Sequence, residues 1–108
     1  MKGLECYAFE RVEAGLKSYE LEFDPAKRSQ TLKHRGLDFL DCNAVFLDRH
    51  LQFEDDRLDY GELRLLVFGW LDNRRVVIVW TPRSQKRRII SMRYAHAEEF
   101  ELYRGTLD

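Results

Sequence analysis

The stretch VVIVWTPRSQKRRIISMRY, residues 76–94, decides the fold of this chain. Two apolar, β-branched runs flank a polar connection at residues 81–86, which is typical of two antiparallel strands and their turn. No Asp or Glu lies between Asp72 and Glu98. Such a hairpin is either a platform for a polyanion or a solvated edge whose charges prevent aggregation, and charge alone favours neither. The cations of this region are Arg74, Arg75, Arg83, Lys86, Arg87, Arg88 and Arg93.

The length of 108 residues fits one compact domain. The net charge of −1 excludes a nucleic-acid binder that relies on bulk charge, so an anion site must come from segregated charge. Cys6 and Cys42 have neither C-x-x-C spacing nor a His cluster beside them, which predicts no zinc site and no disulfide framework. We expect no cofactor. The two thiols fit a reducing cytoplasm, and the sequence shows no signal peptide or membrane span.

The first half of the chain predicts one strand followed by two helices. Residues 19–23 alternate apolar and charged side chains, as a half-buried strand does. Asp24 suits the N-cap of a helix that begins at Pro25 and runs to about His34, where Gly36 stops it. Asp38 is the expected cap of the next helix, residues 39–47.

The second half predicts a meander of strands and a last helix. We expect strands at residues 50–54 and 62–71, with Asp72 and Asn73 as a hairpin turn. A helix should cover residues 95–103. The fold class is therefore α+β, with the helices on one face of an antiparallel sheet and the other face free. Residues 1–18 have marginal helical periodicity and form an N-terminal extension to a domain at 19–108.

Alternation along the strands predicts which side chains share the free face. If Ile90 and Met92 belong to the core, Ser91 and Arg93 lie on the free face with Arg87. Glu62 and Arg64 join them if the core takes Leu63, Leu65 and Val67. Arg88 has the parity of the core, so it needs either a β-bulge or a carboxylate partner.

Arginines on a free face suit metal-independent cleavage of RNA. The reaction needs the 2′-OH deprotonated, the phosphorane charge stabilised and the 5′-oxygen protonated, and guanidinium groups serve the second need. The candidates for this are Arg64, Arg88 and Arg93, with Glu62 or His34 as the base. The expected substrate contacts are Arg57, Tyr60, Arg83, Arg87 and Ser91. Tyr60 or Trp80 could stack an unpaired base, although Trp80 in an apolar run more often packs in a core.

An ordered set of short motifs resembles the BrnT family of toxins from bacterial type II toxin–antitoxin pairs. The resemblance covers residues 19–104, and residues 1–18 extend beyond the usual family start. The set comprises FDPAK (23–27), RGLDF (35–39), DR (56–57), DYGELR (59–64), TPR (81–83), RIISMRYA (88–95), Glu99 and Tyr103.

The resemblance implies a RelE-like fold and a small ribonuclease that halts translation. It also implies a cognate BrnA-like ribbon-helix-helix antitoxin, through which alone the complex would reach operator DNA. Many members have Lys-His-Gly where this chain has His34-Arg35-Gly36, so the family's His position falls on Arg35. An alternative therefore stays open, a catalytically inactive RelE-like domain that serves as antitoxin partner and co-repressor.

Overall fold

The computed structural model describes residues 8–10, through their backbone, and residues 20–99, and it has an α+β fold. A six-stranded sheet has the strand order β1-β3-β4-β5-β6-β2. All neighbours are antiparallel except β2, which pairs parallel to β6. The strands are β1 (Ala8–Glu10), β2 (Glu20–Glu22), β3 (His50–Glu54), β4 (Leu65–Leu71), β5 (Arg74–Arg83) and β6 (Lys86–Tyr94); the helices are α1 (Pro25–Arg35), a 3-10 helix (Phe39–Asp41) and α2 (Cys42–Phe46).

The caps that the sequence predicts are present. The Asp24 side chain accepts from the backbone N–H of Ala26 at 2.9 Å, Pro25 begins α1, and Gly36 ends it with a φ of 70°. Asp38 accepts from the N–H of Leu40 and caps the 3-10 helix that leads into α2. Local rules therefore set the helix boundaries, because a capped end satisfies backbone groups that would otherwise lack partners.

One of the two hairpins agrees with the prediction and the other is tighter. Asp72 and Asn73 form the β4–β5 turn as expected, with φ of 50° and 65°. The β5–β6 turn is only Ser84–Gln85, because strand pairing continues to Arg83 and Lys86. Strand β4 begins at Leu65 rather than residue 62, and Leu63 is 47% exposed instead of buried in the core.

A β-bulge in the β5–β6 pairing overturns the faces predicted for Arg87 and Ile89 and gives Arg88 the free face, which was one of its two expected arrangements. The faces predicted for Ser91, Met92 and Arg93 are confirmed. Val79 pairs with Ser91, but Trp80 pairs with Ile89, so Ile90 is the extra residue. A bulge shifts the alternation of side chains by one residue. Ile89 and Met92 are therefore both buried among the residues beneath the helices, and Ile90 is only half-buried.

Each face of the sheet carries an apolar cluster. The helix-side face packs residues such as Phe39, Phe46, Ile78 and Trp80 into the larger core. The opposite face was expected to be free, but it buries a second cluster of Leu51, Phe53, Phe68 and Val77. That face is therefore only partly free: Arg83 and Arg88 lie toward the Ser84–Gln85 turn, whereas Arg93 lies opposite Val77, farther from it.

One further prediction is wrong. Residues 8–10 form β1, an edge strand beside β3, instead of a helix; the rest of residues 1–18 lies outside the described part of the chain. At the start of β3, His50 is buried; its Nδ1 lies 2.8 Å from the Asp48 carbonyl oxygen and its ring packs on Phe46. Of the expected last helix, residues 97–99 are helical and 100–103 lie outside the described residues.

Gly69 marks the closest approach between α2 and the sheet. A Cβ at this position would lie 2.6 Å from Val45 Cγ1 and 3.3 Å from His50 Cβ. We expect Gly69→Ala to lower the free energy of unfolding by about 1–3 kcal/mol, the usual cost of overpacking, in urea titrations. Ser29→Ala on the exposed side of α1 is the control, and an equal effect of the two substitutions would contradict this packing.

Candidate functional site

Arginine side chains gather on the sheet face opposite the helices. We call this surface the arginine face and define it by Arg64, Arg83, Arg88 and Arg93. The backbone N–H of Asp55 donates to the Arg64 carbonyl at 2.7 Å, which continues the β3–β4 ladder beyond Leu65 and places the Arg64 side chain opposite the helices. Because side chains alternate along a strand, Arg83 lies on the same face of β5 as Thr81 and Val77. The bulge places Arg88 on that face as well.

Arg64 and Arg88 lie in one row across three strands, with Thr81 between them. Thr81 pairs with Arg88, and its Oγ1 donates to the carbonyl of Leu63, the neighbour of Arg64. Two inter-strand spacings separate the Cα atoms of the two arginines by about 10 Å. Guanidinium groups from both sides can therefore converge above Thr81.

Glu62 holds two of the arginines at once. Arg64 Nε donates to Glu62 Oε2 at 3.3 Å, and Arg83 Nη2 donates to Oε1 at 3.1 Å. One carboxylate facing two guanidinium groups leaves one positive charge in excess. Burial alone would raise the pKa of Glu62, but the hydrogen bonds from both arginines hold it below its usual range. Glu62 is therefore a weak base and a strong positioning group.

Tyr60 orients Arg64 from the loop before β4. The guanidinium carbon of Arg64 lies 4.1 Å from the centre of the Tyr60 ring. The Tyr60 hydroxyl donates to Asp55 Oδ2 at 3.2 Å, and Arg57 donates to both oxygens of Asp55, at 2.7 and 2.8 Å. These hydrogen bonds from Arg57 lower the pKa of the buried Asp55 carboxyl. Arg57 and Tyr60 thus order the loop that carries Arg64.

Arg88 pairs with the edge strand. Its Nη1 donates to Glu22 Oε2 at 2.9 Å, and this bond lowers the pKa of Glu22. Among the described residues, neither Nη atom of Arg64 and neither Nε nor Nη2 of Arg88 donates a hydrogen bond. These nitrogens are the groups that an incoming phosphate can use.

Arg93 is occupied differently. Both of its Nη atoms donate to the Glu99 carboxylate, at 2.7 and 2.8 Å. Glu99 also accepts from the backbone N–H of His96 at 2.9 Å, so it joins the helical residues 97–99 to the sheet. The hydrogen bonds from Arg93 lower the pKa of Glu99 to about 2. Arg93 therefore anchors the helical residues 97–99 to the sheet. Arg64 and Arg88, in contrast, retain nitrogens that donate to no described residue.

Two of the predicted site residues lie on the other side of the sheet. His34 is exposed in the last turn of α1, a helix bracketed by Phe23 and Leu37 of the helix-side core. Arg87 also faces the helices, with its guanidinium carbon 3.8 Å from the Phe46 ring centre. The structure therefore does not bring His34 or Arg87 together with the arginine face. Ser91 does lie on it, half-buried between Arg88 and Arg93.

Two residues of the site, Thr81 and Glu22, were not identified from the sequence. Thr81 was placed in a connecting loop, and only its pairing with Arg88 shows that it lies in the row. Glu22 was recognised as the polar side of an alternating strand, but its contact with Arg88 bridges 66 positions and depends on the parallel pairing of β2. Opposite charge at two strand positions was the only signal for that contact.

No three His, Cys, Asp or Glu side chains of the described ranges are grouped so that they could hold a metal ion. None of the helices in the described part of the chain has the length and apolar character that crossing a bilayer requires.

Comparison with known families gives one match. The sequence profile described as "Ribonuclease toxin, BrnT, of type II toxin-antitoxin system" matches residues 23–99, which include all four residues that define the arginine face. No curated protein matches the chain.

The Arg93–Glu99 contact makes stability depend on pH. Because the folded state lowers the pKa of Glu99 to about 2, the contact stabilises the fold above a pH of about 4.5 and loses its effect as pH falls toward 2. Between pH 5 and pH 3, we expect wild type to lose about 1 kcal/mol more unfolding free energy than Glu99→Gln, measured by urea titration at each pH.

Glu98→Gln is the matched control for this measurement, because Glu98 is the exposed neighbour of Glu99. It should lose as much stability as wild type over the same pH interval. Identical pH profiles for all three proteins would show that the Arg93–Glu99 pair does not stabilise the fold.

Proposed function

This chain belongs to the BrnT family of ribonuclease toxins from type II toxin–antitoxin systems, and from that premise we propose that it is an endoribonuclease with a RelE-like fold. It cleaves RNA without a metal ion, inhibits translation and acts in the cytoplasm. The RNA backbone lies across the arginine face, where the scissile phosphate sits above Thr81.

The row of Arg64, Thr81 and Arg88 is the observation that supports this proposal most. Arg64 and Arg88 flank Thr81 from the neighbouring strands, and each retains nitrogens that donate to no described residue. Their side chains are 26% and 30% exposed, so a ligand can reach them without rearrangement of the core. Two guanidinium groups around one phosphate supply the bidentate contacts that a phosphorane with extra negative charge favours.

The chemistry follows from the charges. The 2′-oxygen attacks the phosphorus and passes its proton to a solvent water, the bond from phosphorus to the 5′-oxygen breaks, and that oxygen takes up a proton from solvent. Arg64 and Arg88 stabilise the charge of the intermediate state. Glu62, whose pKa is lowered, positions Arg64 and Arg83 rather than serving as an efficient base. Electrostatic stabilisation thus provides most of the rate enhancement.

The partner follows from membership of a type II family, which implies an antitoxin. We assign it a BrnA-like ribbon-helix-helix protein, and operator DNA is reached only through that protein. An acidic segment of the antitoxin can replace the weak surface carboxylate contacts on the arginine face and so exclude RNA.

A second candidate is an inactive domain that binds the antitoxin and serves as co-repressor. His34 lies on the far side of the sheet, and Glu62 has a lowered pKa, so neither predicted base is well suited to the task. Inducible expression in bacteria separates the candidates. Growth arrest by the isolated chain supports the ribonuclease, whereas normal growth with a tight antitoxin complex supports the binding partner.

Substitution of the row arginines tests the ribonuclease directly. We expect Arg64→Ala and Arg88→Ala each to slow cleavage of single-stranded RNA about a hundredfold in buffer with EDTA, because each removes one donor from the phosphorane. Arg74→Ala is the control, since Arg74 is an exposed arginine that stacks on Tyr94, on the helix-side face. It should cleave at the wild-type rate.

Urea titration of the same variants checks that folding is retained. Wild-type protein that cleaves no RNA, with or without ribosomes, would contradict the ribonuclease assignment. Full activity of both Arg64→Ala and Arg88→Ala would contradict the assignment of the site. Activity abolished by EDTA would contradict the proposal that no metal is needed.

A further inference from the structure

A cavity of about 330 Å³ opens on the helix-side face beside the β5–β6 turn. Trp80 and Arg87 contribute to its lining, together with Gln52, Pro82 and the residues Ser84, Gln85 and Lys86 of the hairpin tip. None of these described lining residues belongs to a helix, so the cavity occupies the end of the face that the helices leave open. Its size is at the lower end of the range of small-ligand pockets.

The cavity wall combines a planar cation with aromatic rings. The guanidinium carbon of Arg87 lies 3.8 Å from the Phe46 ring centre and 5.0 Å from that of Trp80. The Trp80 ring is fixed by its contact with Phe46 and by the hydrogen bond from its Nε1 to Gln52 Oε1, at 3.2 Å. A guanidinium held flat in this way is a platform on which a nucleobase stacks.

The charge of the lining favours an anion. Lys86 and Arg87 are cationic, and none of the described lining residues is acidic. Lys86 is 45% exposed, and its one described carboxylate contact, to Glu20, is long at 3.8 Å. Aromatic and amide groups beside two cations match a ligand that is planar and anionic, which is the chemistry of a nucleotide.

Lys86 connects the cavity to the arginine face. Its cross-strand partner is Arg83, which reaches Glu62 on that face, while the Lys86 side chain also lines the cavity. The row at Thr81 is about three residues of strand, or roughly 10 Å, from the Ser84–Gln85 turn. An RNA strand that leaves the row can therefore pass around the hairpin tip.

We propose that this cavity is a nucleotide subsite, which binds the base and phosphate of a residue next to the cleaved bond. This inference depends on the proposed ribonuclease function for its role, but the binding of a nucleotide can be measured without cleavage. Arg87 stacks the base, and Lys86 contacts the phosphate. The subsite gives Arg87 a role in substrate binding on a different surface from the one that the sequence predicted.

Fluorescence of Trp80 reports on the cavity directly. The chain has two tryptophans, so Trp70→Phe leaves Trp80 as the only one. In this background we expect AMP to quench the fluorescence to saturation. Adenosine and ribose 5-phosphate should bind more weakly than AMP, because each lacks one of the two recognised groups.

Two variants distinguish the contribution of stacking to AMP binding from that of charge. Arg87→Lys keeps the charge but loses the planar group, and Lys86→Ala removes the phosphate contact. We expect each to raise the Kd for AMP about fivefold or more, the effect of losing roughly 1 kcal/mol of stacking or charge interaction. Lys33→Ala, an exposed lysine of α1, is the matched control and should leave the Kd unchanged.

Three results would overturn the subsite. They are the absence of saturable quenching at millimolar AMP, equal affinity for ribose 5-phosphate and AMP, and wild-type affinity in both cavity variants. Arg64→Ala should bind AMP normally, which separates this proposal from the ribonuclease. AMP binding without RNA cleavage would contradict only the proposed ribonuclease function. RNA cleavage without AMP binding would contradict only the proposed subsite.

Discussion

The site depends on the β-bulge opposite Val79 and Trp80. Without the bulge, Arg88 would lie opposite Pro82 on the helix-side face, at the edge of the core beneath the helices, where Arg87 now lies. One extra residue at Ile90 lets Ile89 and Met92 both fill that core and turns Arg88 to the opposite face. The bulge thereby satisfies two demands of the same strand, apolar burial and presentation of charge.

The carboxylate partners determine how firmly each arginine of this face is held. Among the described residues, the side chains of Arg64 and Arg88 each donate one hydrogen bond to a partly exposed acid, a kind of contact worth under about 1 kcal/mol. A phosphate can replace such contacts at small cost. Arg93 has both terminal nitrogens on Glu99, which also caps the following helical residues, so its release would disturb the fold. This difference explains how a chain with a net charge of −1 can still present a local anion site.

The sequence was informative where structure is set locally. Asp24, Gly36 and Asp38 mark helix ends because capping needs only neighbouring residues. The faces predicted for Arg87 and Ile89 were wrong, because alternation assumes an unbroken register and nothing in the residues marks Ile90 as the extra one. The faces of Ser91 and Arg93, on the other side of the bulge, were predicted correctly. The second apolar cluster and β1 were missed since both depend on pairing between distant segments.

Likewise, the sequence was enough to identify the arginines of the site, but it did not show which of them a ligand can reach. Their exposure and partners depend on Glu22, Glu62 and Glu99, which come from three separate segments. The family resemblance gave the class of function, which the match over residues 23–99 confirms. Geometry was needed to show that Arg87 and His34 lie on the other side of the sheet.

Disulfide trapping across the β5–β6 pair tests the central claim most directly. With the bulge, Thr81 lies opposite Arg88, and paired positions of adjacent strands are close enough for a disulfide. Without it, Thr81 would lie opposite Ile89. The bulge predicts that Thr81→Cys/Arg88→Cys forms the intramolecular disulfide under mild oxidation and that Thr81→Cys/Ile89→Cys does not. The reverse result would put Arg88 on the helix-side face and remove the row on which the proposed cleavage site rests.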